Sequence, residues 1–385
     1  MKVIDLFAGA GGLSLGAARA GFEVAASVEI DRAALATHRR NFPGTKHLDL
    51  DIAKLSGETL LCESGVSAGQ LTGLIGGPPC QGFSTMGKQD VSDSRNDLFQ
   101  HFFRLVSETK PTFFIAENVR GILQPQYDSI RERAFSLVRD DYKLLPALEV
   151  SANQWGAPTS RKRVFFVGVA KNAPWTLDAA DFALACNAVE EVRVAEALQG
   201  LPDKIDPSWQ KYEDSWQARS ALTMDSEFLK RVQGMIPRGV GHPEDLYRYH
   251  DRGEVSGNFG TRHSATVEAR YAALAPGEKD QISKSVRLNT EGFCPTLRAG
   301  TGSDKGNFQA VRPIHPCEPR VITVREAARL QGFPDWFTFH TSKHQSFRQI
   351  GNSVSPLVAE RTMSLIYKKA RQAPVPSMDA GSTRS

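Results

Sequence analysis

The stretch KVIDLFAGAGGLSLG (2–16) limits the possible folds of this chain more than any other. KVIDLF reads as a buried strand, FAGAGG as a tight turn, and the residues to about Ala20 as a helix. A strand that runs through glycines into a helix opens a βαβ unit, and the rhythm repeats. Val24–Val28 reads as a second strand, and Asp31 is placed to cap a helix ending near Asn41. Leu74–Ile75 belongs to another short strand, and Asn96 caps a helix to about Thr109 with Leu98, Phe102, Leu105 and Val106 on its inner face. Thr112–Ala116 and Val164–Val169 read as further core strands. The pattern predicts an α/β fold built on an open, largely parallel sheet with helices on both faces.

Beyond about Ala170 the periodicity weakens and Gly, Pro, Arg and His become frequent. Regular pattern returns at Val321–Leu330 and from Pro356 to about Arg371. The expected organisation is a domain over 1–172, a smaller irregular domain over 173–320, a return segment over 321–371 that completes the first domain, and a disordered tail over 372–385. The net charge of +4 neither demands nor excludes a nucleic-acid partner. Five widely spaced cysteines without a CxxC pair argue against a disulfide framework and against a metal site. With no apolar leader at the N-terminus and no apolar stretch long enough to span a bilayer, a cytoplasmic setting is expected, without membrane contact.

The glycine loop FAGAGGLSLG (7–16) departs from the dinucleotide register: Gly9 and Gly11 match its first two glycines, whereas Gly12 and Gly16 do not. Glu29 ends the second strand about 20 residues after the first glycine, where a carboxylate can accept from both ribose hydroxyls. Asp51, near the end of a third expected strand, is placed to accept from an adenine amino group. No Lys-Ser/Thr pair follows the glycines, which counts against ATP and GTP. An adenosine-bearing cofactor fits best; a plain turn with surface acids is the alternative.

GGPPCQGFS (76–84) puts a thiol on a stiff, bare turn after a strand. A cysteine meant for packing belongs inside an apolar run, so Cys80 reads as a nucleophile whose thiolate needs help from amides or an arginine. Glu117, ending the TFFIA strand, belongs at the same sheet edge and suits a general acid or hydrogen-bond partner. Arg161 and Arg163 flank Lys162 and point the same way, a pair able to hold phosphate or a ring oxygen; a solvated basic turn is the bland alternative.

The motifs DLFAGAGG (5–12), EID (29–31), DI (51–52), GGPPCQGFS (76–84), ENV (117–119), RKR (161–163), REAARLQGFP (325–334) and QIGNSV (349–354) together resemble a DNA (cytosine-5) methyltransferase of the bacterial restriction-modification or defence type. The resemblance implies a Rossmann-like sheet that binds S-adenosylmethionine and a target-recognition domain over about 173–320. It implies that Cys80 adds to carbon-6 of a flipped-out cytosine, that Glu117 serves ring N3, and that Arg163, helped by Arg161, holds the ring oxygen. Cofactor contacts carry over to Phe7, Gly9, Gly11, Gly12, Glu29, Ile30, Asp51, Ile52, Pro79 and Asn352. DNA contacts fall on Gln81, Ser84, Lys88, Arg95, Thr296 and Arg298, with 82–98 a loop that closes over DNA. Arg238, Arg252 and Arg262 are further candidate readers of the major groove, whereas His315 and Trp336 read as packing residues. The implied partners are double-stranded DNA and a cognate restriction endonuclease or defence proteins, with the enzyme itself a monomer.

Two departures stand out: Thr159 replaces the family's usual glutamine, and the last motif reads GNSVSP. Rival readings are a tRNA cytosine-5 methyltransferase on the same fold, a catalytically silent DNA-binding subunit, and a dinucleotide dehydrogenase. The Cys-Phe-Thr signature of the first does not occur, both Cys80 and Glu117 are present against the second, and the glycine register disfavours the third.

Overall fold

The computed structural model describes residues 1–79, 97–187, 189–202, 204–222, 224–300 and 312–372. Its first half alternates β1 (Lys2–Leu6), α1 (Gly12–Ala20), β2 (Glu23–Val28), α2 (Arg32–Asn41), β3 (Lys46–Leu48), α3 (Gly57–Ser64), β4 (Leu71–Gly76), α4 (Asp97–Thr109), β5 (Phe113–Asn118) and α5 (Asp128–Ser136). Three strands follow, β6 (Tyr142–Leu144), β7 (Leu148–Ser151) and β8 (Lys162–Ala170). The sheet order is β3-β2-β1-β4-β5-β8-β6, with β7 also paired to β8. The strands β1 to β5 are mutually parallel, as expected, but β8 runs antiparallel to β5, and β6 and β7 antiparallel to β8. The sheet is therefore mixed, and the reversal of β8 matters for the site.

Alternation along β5 divides the core between the two faces of the sheet. Phe113 and Ile115 join the α1 side, while Phe114 and Ala116 join the α4 side. Phe99, Phe102 and Phe103 of α4 are fully buried there, each stabilising the fold by roughly 1.5–3 kcal/mol through lost water contact. Leu98, expected on that inner face, is instead half-buried and lines the cleft above the sheet, because the true apolar stripe begins one residue later at Phe99. Asn96, the expected cap of α4, lies outside the described residues.

The middle region is less regular. It carries α6 (Ala179–Asn187), α7 (Val194–Ala197), β9 (Gln217–Ala218), α8 (Glu227–Gln233), α9 (Pro243–His250), β10 (Glu254–Val255) and α10 (Ala265–Ala272), with β9 and β10 forming a small ribbon. The chain then returns through α11 (Val324–Gln331), α12 (Lys343–Asn352) and α13 (Pro356–Gln372). Thr323 caps α11 in a reciprocal box with Glu326. Buried arginines of α11 knit the return to the middle region. Arg325 donates to the Ser256 carbonyl at 2.7 Å and to that of Phe337 at 2.7 Å; Arg329 pairs with Asp335 and reaches the Ala197 carbonyl at 3.1 Å. Arg40 of α2 grips Asp245 of α9 through two 2.6 Å bonds. Trp336 is buried in the core, and His315 accepts from two main-chain amides, so both are structural.

The glycines that fell out of register on α1 have a packing cause. α13 lies against α1, and a Cβ on Gly16 would come 2.6 Å from the main chain of Ala359 and Glu360. A Cβ on Gly12 would overlap the carbonyl oxygen of Val354. Helix propensity favours alanine over glycine by about 1 kcal/mol, but overpacking a fixed interface costs roughly 1–3 kcal/mol. Gly16→Ala is therefore expected to lower stability by up to about 2 kcal/mol, read as a lower urea midpoint at an unchanged m-value.

Candidate active site

The carboxyl edge of β1, β2, β4 and β5 opens into a cleft of about 450 Å³. Its floor begins where β1 ends. Phe7 takes φ 57°, a left-handed conformation rare for an aromatic residue, and Gly9 and Gly11 follow at φ 57° and 102°. A Cβ on Gly9 would meet nothing within 4 Å, so that side of the loop is open to a ligand. Glu29 holds the loop: one carboxylate oxygen accepts from Gly9 N–H at 2.8 Å and the other from Asp31 N–H at 2.8 Å. Burial pushes its carboxyl up, while the two amides pull it back towards the anion.

Beside Glu29, Ile30 stands 65% exposed on the cleft rim, where an apolar side chain has no neighbour to cover it. Asp51 and Ile52 line the opposite side, three residues beyond the short β3. Arg104 of α4 fixes their loop by donating to the carbonyls of Ile52 and Leu55 at 3.0 and 2.8 Å. Pro79 and the exposed Asn352 complete the lining. The set comprises an open glycine turn, a two-oxygen acceptor at a strand end, and apolar surface for a flat ring. It fits an adenosyl group.

The same cleft reaches Glu117, Arg161 and Arg163. Strand order and direction produce this meeting. Glu117 pairs with Phe165 and Asn118 with Val164 across the antiparallel β5–β8 register. The residues just before β8 therefore lie beside the end of β5. In a wholly parallel sheet they would sit at the opposite edge. Arg163 Nε lies 2.7 Å from Glu117 Oε1, a close ion pair in which both side chains are mostly buried. Burial pushes the Glu117 carboxyl up, and Arg163 and then Arg161 oppose the shift.

The two arginines, paired in the sequence reading, are held differently. Arg161 is buried, with Nη1 donating to the Leu297 carbonyl at 3.2 Å and Nη2 to that of Gly351 at 2.8 Å. Thr159 is fully buried, and no partner for its Oγ1 is seen among the described residues. Residues 77–79 pass close to Glu117: a Cβ on Gly77 would lie 3.1 Å from Oε2, and Asn118 Nδ2 donates to the Pro78 carbonyl at 3.4 Å. Cys80, Gln81, Ser84, Lys88 and Arg95 lie outside the described residues. Thr296 and Arg298 are exposed on either side of the buried Leu297 and are not among the residues that line the cleft.

A model of the C-5 cytosine-specific DNA methylase family matches residues 1–368. The chain belongs to that family. It is an S-adenosylmethionine-dependent DNA (cytosine-5) methyltransferase. It is 38% identical to the type II methyltransferase M.XorII of Xanthomonas oryzae, over 96% of this chain and 85% of that protein. It is 30% identical to M.DdeI of Desulfomicrobium norvegicum, over 94% and 87%. A crystal structure of a provisionally assigned DNA modification methyltransferase from an E. coli prophage superposes with a TM-score of 0.87 at 48% identity, covering 97% of this chain and all of that one. Dnmt2 of S. pombe, at 17% identity and a TM-score of 0.61 over 96% of this chain and 98% of that one, shares the fold. Among the described residues, no helix of the methyltransferase is long and apolar enough to cross a membrane.

Sequence reading missed several residues at the cleft. Arg348 of α12 pairs with Asp31 at 2.9 Å. Gln349 bonds Thr37 and the Ala33 carbonyl, both at 3.0 Å. These contacts join positions more than 300 residues apart, and no local signal marks them. Arg104 escaped for the same reason. Gln349 lies inside the quoted QIGNSV motif and was the one most open to discovery.

Under the glycine loop runs a buried polar chain. Ser14 Oγ donates to Asp5 Oδ2 at 2.6 Å, His38 Nε2 lies 2.9 Å from Ser14 Oγ, and His38 Nδ1 lies 3.0 Å from His47 Nε2. Burial pushes the Asp5 carboxyl from 3.8 up to about 7, with the Glu29 charge adding to the shift. The folded state thus keeps a proton that the unfolded chain has released above about pH 4. This group's contribution to stability falls as pH rises from about 4 to 7 and is constant above. Three pKa units at 1.36 kcal/mol each bound the effect at about 4 kcal/mol. Asp5→Asn lacks the titration, so its stability relative to wild type is expected to rise with pH across that window, as measured by denaturant melts at pH 5 and 8.

Proposed function

We propose that the methyltransferase modifies carbon-5 of a cytosine flipped out of duplex DNA, through a transient bond between Cys80 and carbon-6. One observation carries the reading. A single cleft is lined at one end by the Gly9–Glu29–Ile30 cradle and at the other by Glu117 and Arg163. The main chain of 77–79, which leads directly to Cys80, runs beside Glu117. Carbon-5 of cytosine is a poor nucleophile. Addition of a thiolate at carbon-6 shifts the ring's double-bond electrons to carbon-5, which can then take a methyl group.

Bound S-adenosylmethionine supplies that methyl group as an electrophile. Glu29 would accept from its ribose, Asp51 from its adenine amino group, and Ile30 would cover the ring; Phe7, Gly9, Gly12, Ile52, Pro79 and Asn352 line the same cleft, whereas Gly11, also expected to touch the cofactor, packs against Phe42. Glu117 hydrogen-bonds ring N3, and the burial that pushes its carboxyl up favours donation there. Arg163 orients Glu117 and holds the ring oxygen. After methylation the carbon-5 proton departs, the Cys80–carbon-6 bond breaks, and the thiolate is restored. A stacked duplex hides both ring carbons, so the base is extruded at a cost of a few kcal/mol.

We further propose that 173–320 recognises the target, with Thr296, Arg298, Gln81, Ser84, Lys88 and Arg95 contacting DNA, and that 321–371 completes the catalytic domain over 1–172. The protein acts as a monomer in the cytoplasm beside a cognate endonuclease or defence system, in keeping with the type II names of its relatives.

Duplex DNA bearing 5-fluorocytosine tests the chemistry, because the fluorine cannot leave as a proton. With S-adenosylmethionine present, a protein–DNA adduct stable to denaturing electrophoresis is expected, and none with Cys80→Ala. An adduct in the Cys80→Ala protein would refute the assignment. Glu117→Gln is expected to keep cofactor affinity while turnover falls about 10²–10⁴-fold, the worth of a positioned acid. Labelled methyl transfer to duplex DNA, but not to tRNA, is expected from the wild type; the reverse preference would favour the tRNA reading.

A further inference from the structure

We infer that Arg161 is a positioning residue that clamps residues 294–299 to the catalytic edge, so that the exposed pair Thr296 and Arg298 reads DNA only when locked to Glu117's side of the cleft. The inference rests on the proposed function and deepens it. Three independent contacts fix this segment. First, Cys294 N–H donates to the Pro158 carbonyl at 2.9 Å and Ser160 N–H to the Cys294 carbonyl at 2.9 Å, a parallel bridge across Thr159. Second, the Arg161 fork spans the carbonyls of Leu297 and Gly351. Third, Gly351 is a seat: a Cβ there would lie 2.5 Å from Ala299 N and from Arg298 C, so only glycine lets the segment lie flat on α12.

Geometry then decides what is presented. Leu297 points inward and is buried, while Thr296 and Arg298 point outward. A shift of this main chain by one ångström moves both outward side chains relative to any bound base, and hydrogen-bond discrimination does not survive such a shift. The Arg161 charge also opposes the burial-driven rise of the Glu117 carboxyl. Arg161 thus ties the recognition segment to α12 beside the cleft through one rigid planar group. A lysine ends in a compact ammonium on a flexible stem and lacks the planar fork that fixes this geometry.

Wild type, Arg161→Lys and Gly351→Ala are expressed with a plasmid, and bisulfite sequencing gives the methylated sites in each. Melting curves and calorimetric titration with S-adenosylmethionine accompany them. Both variants are expected to melt cooperatively and to bind the cofactor, while the ratio of methylation at the wild-type site to sites differing by one base falls about tenfold, the lower part of the range for one base contact. An unchanged ratio in both variants overturns the inference, whatever happens to turnover, and returns Arg161 to a direct catalytic role. If Arg161→Lys fails to fold, Gly351→Ala decides. Loss of the melting transition in both overturns it in favour of a purely structural tie. A wild type that methylates no cytosine overturns the proposed function itself, whereas methylation with an unaltered ratio leaves that function standing.

Discussion

The antiparallel pairing of β5 with β8 is the constraint on which the site depends. Glu117 ends one strand and Arg163 opens the other, so only a reversed neighbour brings them to one edge. A carboxylate and a guanidinium both removed from water are stable only when they face each other at short range. The pair is a fixed dipole at the base of the cleft. A removed partner would leave the other buried without its counterpart, so each residue holds the other in place.

Charge burial is used the same way elsewhere. Arg40 with Asp245 joins segments far apart in sequence, and Arg329, paired locally with Asp335, reaches across to the carbonyls of Ala197 and Gln199. Arg325 satisfies its donors largely on main-chain carbonyls. Such ties add little net stability over apolar packing. They do specify geometry, because a planar fork accepts few arrangements. An irregular region with two-residue strands has little sheet to define it, and these forks define how it meets the cleft.

The parts of this arrangement legible in sequence are local ones. The β1–glycine–α1 turn, Glu29 at a strand end, and the Cys80 turn declare themselves within a few residues. The direction of β8 was not legible, because an apolar run such as VFFVGV reads identically in either sense. The register of Gly12 and Gly16 became intelligible only once their neighbours, Val354 for Gly12 and Ala359 of α13 for Gly16, were placed against them from more than 340 residues later. Leu98 was assigned to the core by periodicity, but the stripe starts at Phe99 and leaves Leu98 facing the cleft. Arg161 and Arg163 look equivalent in the chain, and only the carbonyls of Leu297 and Gly351 separate them.

The seating of α13 on the glycines of α1 has a consequence for biosynthesis. At about 5–20 residues per second, a ribosome takes tens of seconds to travel from one helix to the other. Throughout that interval the smooth face of α1 emerges without its cover, and the sheet lacks the helix that closes one side. Until α13 is made, that apolar face of the first half stays open to solvent, so the fold closes only after the chain has passed α13.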